Sequence, residues 1–361
     1  MEKVYFVDAR AEVTEVEKWY QPHLSLVSKL KKLIDESEIF DIVSSGDIVA
    51  VKTHFGDRGT TKTIRSVFIR AVVEKLKEIG ARPFVTETTG LGLTMLRSTA
   101  YGRLLIAEEN GYTQQTVLAP IIIADGLLGF DFVEVEVDGK YLRKVYVAKA
   151  IAEADAVICC THFKMHMQAG IGGSIKNVGV GCVAKPSKFD VHVEDYPVIN
   201  ENCTECGKCV EICPVKAIRD FKIDKSKCLK CTGCYEVCEY DAVELKWLEG
   251  KDVSDRIVEC AKGVLSVNDN FAYLSFLIDI TPHCDCHPYS DISIVPDIGI
   301  LACKDIVAID KASLDLYMSA EVVKQSLLAD KRFWEWTDPF GMIEYAEEIG
   351  LGKSRYKIVK V

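Results

Sequence analysis

The sequence lacks any apolar run long enough to cross a membrane. Its most hydrophobic windows, VLAPIIIADGLLGF and FAYLSFLIDI, are broken by Asp125 and Asp279, and they fall short of the roughly 18–20 residues a span needs. An apolar leader core is missing too: the chain starts MEKVYFVDAR, so the expected location is cytoplasmic. Basic excess is absent, with 44 Lys and Arg against 54 Asp and Glu and a net charge of -10. A chain without a basic stripe is not built for phosphate backbones, which excludes nucleic acid as an expected partner.

What the sequence has in excess is cysteine, 15 in 361 residues. Eight of them read C203-TE-C206-GK-C209-VEI-C213-P and C228-LK-C231-TG-C234-YEV-C238. This is C-x2-C-x2-C-x3-C twice, a spacing in which three thiolates wrap one face of an iron–sulfur cube and the fourth reaches the other. The expected ligand sets are therefore crossed. Cys203, Cys206, Cys209 and Cys238 hold one [4Fe-4S] cluster, and Cys228, Cys231, Cys234 and Cys213 hold the second. Glycines at 207 and 233 suit the close backbone approach such loops need. The competing reading is a pair of zinc ribbons, but these set two C-x2-C elements across a longer gap rather than four cysteines in one run. Residues 197–246 resemble the bacterial two-cluster ferredoxin, with Glu239 where the first copy has proline. The resemblance implies one-electron transfer.

On both sides of this segment apolar runs alternate with helical patterns. Strands are expected at 47–53, 81–88 and 117–125, and helices at 63–80 and 96–112. A hairpin over 132–147 is expected to turn at Asp138-Gly139 in a type I′ turn. Helix and strand follow over 148–160. After the cysteines come a helix (254–266), strands (271–280 and 297–303) and a helix (305–320). The expected fold is α/β, a mainly parallel layered sheet formed by residues 1–195 and 247–361, with an α+β ferredoxin-like module, 196–246, inserted in one of its loops.

Ligands of α/β sheets settle beyond the C-terminal strand ends, and three segments leave strands with unusual polar content. The first contains His54, Asp57 and Arg58, a candidate acid/base and anion-binding group, alternatively a turn capped by Thr60 or Thr61. The second, THFKMHMQAGIGGSIKN (161–177), contains His162, His166 and Lys176 as candidate catalytic residues and Gly170, Gly172, Gly173 and Asn177 as a candidate cofactor or anion cradle. It matches neither the phosphate-loop nor the dinucleotide pattern; its bland alternative is hydrogen-bonded loop histidines and a solvated lysine. The third, His283, Cys284, Cys286 and His287, is dense enough in soft ligands for a further metal or a redox dithiol, or else holds buried small thiols. Cys159, Cys160, Cys182, Cys260 and Cys303 read as small core residues.

The stretch EADAVICCTHFKMHMQAGIGGSIKNVGVG, the CDC at 284–286 and PDIGILACKDIVAIDKASLDL resemble the family called domain of unknown function 362, many members of which carry a ferredoxin module. A more distant resemblance is to the nickel-pincer lactate racemases: His166, Ala169-Gly170, Gly172-Gly173 and Lys176 fall at similar spacing, with Ser174 replacing one glycine. Asp57-Arg58-Gly59-Thr60 loosely echoes a second element of that family. There the lysine bears a covalent cofactor. The sequence thus points to two [4Fe-4S] clusters serving a redox site in the α/β part, which acts on a small-molecule substrate or a partner protein. The alternatives are a non-catalytic electron carrier that docks a partner, and an isomerase or racemase with a cofactor at Lys176.

Overall fold

A computed structural model describes the whole chain, residues 1–361. Eight strands form one sheet: β1 (Glu2–Asp8), β2 (Ile48–Lys52), β3 (Arg82–Glu87), β4 (Ile121–Ile123), β5 (Ala156–His162), β6 (Phe271–Leu277), β7 (Gly299–Cys303) and β8 (Tyr356–Lys360). Their order across the sheet is β8-β1-β7-β6-β5-β2-β3-β4. Neighbours run parallel except at β7, which is antiparallel to both β1 and β6. The fold is thus mixed α/β around a large, mostly parallel sheet. Strands β1 and β8, which the sequence reading does not anticipate, extend one edge.

Both faces of the sheet are covered, so its central strands read as unbroken apolar runs rather than alternating ones. In β5 all seven residues are buried. Val157 and Cys159 point into a core cluster of 48 residues, and Ile158 and Cys160 into one of 33 on the opposite face. Helices α1 (Leu26–Ser37) and α2 (Ser66–Glu78) supply Leu30, Leu33, Phe68, Val72 and Leu76 to the smaller cluster. On the other face lie α4 (Ser174–Gly179), α6 (Lys251–Val267), α7 (Ile306–Ser319) and α8 (Pro339–Glu348); α3 (Ala100–Glu109) and α5 (Lys185–His192) flank the strand ends. Each Val, Leu or Ile so buried contributes about 1.5–3 kcal/mol. Cys159, Cys160, Cys182, Cys260 and Cys303 are buried in these layers.

The 132–147 hairpin forms, but Asp138-Gly139 is not its turn. The ladder runs to Glu136–Lys144, Val137 N–H still donates to the Arg143 carbonyl at 3.0 Å, and a loop of 138–142 closes the hairpin. The buried carboxylate of Glu259 in α6 accepts from the backbone N–H groups of Tyr141 and Leu142, at 2.7 Å for Leu142. That pull opens the turn.

Between α5 and α6 the chain leaves and returns at one place. Val193 bridges Trp247, and Glu194 N–H donates to the Lys246 carbonyl at 3.0 Å. Between them, Val198–Ile199 pairs with Val243–Glu244, Ile218–Arg219 pairs with Lys222–Ile223, and two single-turn helices span Lys208–Ile212 and Gly233–Glu236.

Candidate functional site

The C-terminal ends of β2, β3, β5 and β6 converge on a cleft of about 300 Å³. Each strand delivers polar side chains at or just past its end. Past β2 come His54 and Asp57; Glu87 ends β3; His162 ends β5, with Lys164 and His166 after it; Cys284, Cys286 and His287 follow β6.

Glu87 organises one wall. Its carboxylate faces His54 Nδ1 at 2.8 Å, accepts from Phe55 N–H at 2.9 Å, pairs with Arg103, and lies 3.5 Å from the buried Lys52 amine. Burial alone would raise its pKa, but Arg103, His54 and Lys52 outweigh burial and hold the carboxyl well below the usual range. Asp285 is a second buried anion. It faces His162 Nδ1 at 2.9 Å and Lys164 Nζ at 3.2 Å, which hold it low against the opposing effect of burial. His162 also donates from Nε2 to the Ile278 carbonyl at 2.8 Å. Both ring nitrogens are therefore spent on the protein, and His162 positions the 278–286 loop.

The glycine-rich turn does less anion binding than its composition suggests. The N–H groups of Ser174 and Ile175, which open α4, donate to the buried Asp310 carboxylate at 2.6 and 2.9 Å. That cradle is filled from within the protein. Gly172 and Gly173 line the cleft; Gly170, with φ of +83°, sits against Pro339 outside it. Asn177 is clamped, accepting from Lys52 at 2.8 Å and donating to Cys160 O and Thr161 Oγ1. Arg58 turns away to pair with Glu109 on the exposed surface. His283 stacks among Trp334 and Tyr289, outside the cleft lining. Thr60 and Thr61 do not cap α2, whose N-cap residue is Arg65.

At the centre of the cleft, His166 Nε2 and the sulfurs of Cys284 and Cys286 lie within 4.8 Å of one another. His166 Nε2 is 3.7 Å from Cys286 Sγ, and Lys176 Nζ is 4.0 Å from Cys284 Sγ. Burial, then the Lys176 charge, pushes the His166 pKa well down, so this imidazole is neutral. Arg97 donates to Asp57 at 3.0 Å and to the Cys286 carbonyl at 2.9 Å. The sequence reading misses Glu87, Arg97, Arg103, Lys164 and Lys188. For Glu87 a signal exists, a carboxylate ending the apolar strand ARPFVTE, and for Lys164 another, its place between His162 and His166 in the 161–177 stretch; the other three are single cations with no local pattern.

The eight spaced cysteines fall into two further pockets. One is lined by Cys213, Cys228, Cys231 and Cys234, the other by Cys203, Cys206, Cys209 and Cys238. Ile212, Val215, Ile218 and Ile223 wall the first; Ile199, Phe221, Val237 and Val243 wall the second. Backbone N–H groups point at sulfur at related positions of the two copies: Ala217 to Cys213 at 3.2 Å and Ala242 to Cys238 at 3.3 Å. None of the 15 cysteines is paired in a disulfide. The first pocket abuts the cleft through one loop. Leu93 walls the pocket and Gly90 and Leu91 wall the cleft, while Gly92 N–H donates to the Cys231 carbonyl at 3.0 Å.

The family described as "Domain of unknown function (DUF362)" matches residues 49–315. Among solved structures, the lactate racemase apoprotein from Thermoanaerobacterium thermosaccharolyticum is similar at 14% identity and a TM-score of 0.40, covering 81% of this chain. This chain spans 56% of that protein's length. No curated protein matches.

Proposed function

The chain belongs to the DUF362 family, and from that premise we propose that it is an iron–sulfur redox protein, with two [4Fe-4S] clusters held by residues 196–246 and serving the α/β cleft. The observation that carries this reading is the sorting of eight thiols into two apolar pockets, four to each, in the crossed sets that the spacing requires. A zinc-ribbon pair has no need of such crossing. The donor set fits the group: thiolate sulfurs, N–H···S contacts and a sheath of aliphatic side chains that limits water. Cys203, Cys206, Cys209 and Cys238 would hold one cluster, and Cys213, Cys228, Cys231 and Cys234 the other. Each cluster, when bound, exchanges one electron at a time.

The two pockets differ in position. Cys206 is exposed, so its set faces a one-electron donor or acceptor protein; the set with Cys231 sits against the 90–93 loop that also walls the cleft. Residues two apart in a chain are separated by at most about 7 Å, so the loop leaves little between Leu93 and Leu91. The cleft supplies what a redox reaction of a small molecule needs besides electrons: fixed cations, a neutral imidazole and thiols. A chain with this many unpaired thiols suits a reducing compartment such as the cytoplasm.

Purification without air followed by iron and acid-labile sulfide analysis tests the reading. About eight of each per chain are expected. Cys206→Ser and Cys231→Ser should each lose roughly half of both, with separate changes in the electron paramagnetic resonance of the reduced protein. Stoichiometric zinc without sulfide would overturn the assignment.

A further inference from the structure

We propose that Cys284 and Cys286 form a redox-active dithiol on the floor of the cleft, reducing an anionic small-molecule disulfide by thiol–disulfide exchange. This rests on the cluster reading for its source of electrons, and it assigns to the cleft both a reaction and a class of substrate.

The two sulfurs lie within 4.8 Å of each other. A disulfide spans about 2.05 Å, and residues two apart have Cα separations in or near the range it tolerates, so side-chain rotation closes the bond. The 278–286 loop that carries them is fixed by the Asp285 contacts with His162 and Lys164. The third group of the cluster argues against a metal site. His166 Nδ1 accepts from the backbone N–H groups of Gln168 and Ala169 at 3.2 and 3.1 Å. A neutral imidazole that accepts at Nδ1 carries its proton on Nε2, and that nitrogen faces Cys286 Sγ at 3.7 Å. Histidine ligands ordinarily donate from the nitrogen that does not touch the metal. Here that nitrogen is an acceptor, so His166 is built as a hydrogen-bond donor to a thiolate. Lys176, Arg97 and Lys164 bring positive charge to the pair; Cys286 is held below the ordinary thiol range by Cys284 and by that charge, while Cys284 is held above it by Cys286 and by burial, against the pull of the same cations. One sulfur is poised to attack, and the other to resolve.

The thiol pair is also wired toward the pocket of Cys213, Cys228, Cys231 and Cys234. The Cys231 carbonyl accepts from Gly92 N–H, Gly90 N–H donates to the Arg97 carbonyl at 2.8 Å, and the Arg97 guanidinium donates to the Cys286 carbonyl at 2.9 Å. The substrate's charge follows from the lining. Arg97, Arg103, Lys164, Lys176 and Lys188 outnumber the carboxylates Asp57 and Glu87, in a chain whose net charge is -10. A cationic cleft in an acidic protein concentrates anions.

The step balances. The Cys286 thiolate attacks one sulfur of R–S–S–R, breaking that bond and releasing the first RS⁻. Cys284 then attacks Cys286, releasing the second RS⁻ and giving up its proton. The products are two RSH and a Cys284–Cys286 disulfide, the two electrons having come from the two thiols. Two equivalents of a reduced ferredoxin-class protein, with two protons from water, restore the dithiol.

The probe is the dicarboxylate 3,3′-dithiodipropionate, with dithiodiethanol as its neutral counterpart, applied to full-length protein prepared without air. The expected result is a 284–286 peptide lighter by two hydrogens and two equivalents of mercaptopropionate, formed about tenfold faster than with the neutral disulfide. C284S should trap a mixed disulfide on Cys286, and C286S should form none. Iron and sulfide should stay at the wild-type level in both, so failure of the cluster reading registers in those contents and failure of the dithiol registers in the peptide mass. The proposal is overturned by an unmodified wild-type peptide, or by a stoichiometric transition metal that is lost in both serine variants.

Discussion

Glu87 shows how a single residue fixes the chemistry of this cleft. A lone buried carboxylate would be protonated, and a lone buried Lys52 or Arg103 would be worse off still, since desolvation of each charge costs several kcal/mol. Together with His54 they form a compensated group at the end of β3. Glu87→Gln keeps the size and removes the charge, leaving Arg103 and Lys52 unbalanced in a buried site. The expected loss is about 3–5 kcal/mol of stability, read as a lower midpoint in denaturant with an unchanged slope. A second expectation at this scale concerns Cys286. Its thiol is held below the ordinary range by Cys284 and the neighbouring cations, so its thiolate persists to lower pH than that of a free cysteine. Its alkylation by iodoacetamide, followed on the 284–286 peptide, should therefore stay fast as pH falls below 8, and Lys176→Ala should move the fall-off to higher pH.

At the scale of elements, one short helix joins the Gly92–Cys231 and Lys230–Asp190 contacts in holding the cysteine-rich segment against the α/β part. Glu236, in Gly233–Glu236, accepts from Leu93 N–H at 2.7 Å, Thr94 N–H at 2.9 Å and Thr94 Oγ1 at 3.0 Å. It thereby orders the loop that separates the Cys231 pocket from the Cys284–Cys286 pair. Glu236→Ala should speed hydrogen exchange of residues 91–98 and slow electron delivery to the 284–286 disulfide, with iron content unchanged. Much of this arrangement is legible from local pattern. The thiols sort into their two sets because the spacing rule acts over a dozen residues, and His54, His166 and Lys176 stand out because they leave strands beside glycines. The rest depends on contacts across the chain. Nothing near residue 138 says that Glu259 will open the hairpin turn, and nothing near residue 173 says that Asp310 will occupy the N–H groups of α4. Arg97 and Lys188 acquire meaning only when the sheet brings their segments together. Strands β1 and β8 escape notice because they pair with each other from opposite ends of the chain.

Across the whole molecule the apolar core is divided very unevenly. The α/β layers share clusters of 48 and 33 buried residues. Residues 196–246 contribute only Cys209, Ala217, Ile218, Ala242 and Val243 to the buried hydrophobics. A segment of that length cannot offset about 1–2 kcal/mol of backbone entropy per residue from so small a core. On the proposed reading, bonds to two clusters would supply the missing order, as in other small metal-dependent folds. The Val193–Trp247 bridge holds its two ends together beside the α/β layers. Stripping iron with a chelator under denaturant-free conditions should therefore expose the stretch between about 200 and 245 to proteolysis, while fragments from residues 1–195 and 247–361 stay associated and keep most of the original far-ultraviolet circular dichroism. Rebuilding the clusters with iron and sulfide should restore protection. If the stripped segment stays as resistant as the native one, its fold does not depend on metal, and the eight thiols would need another explanation.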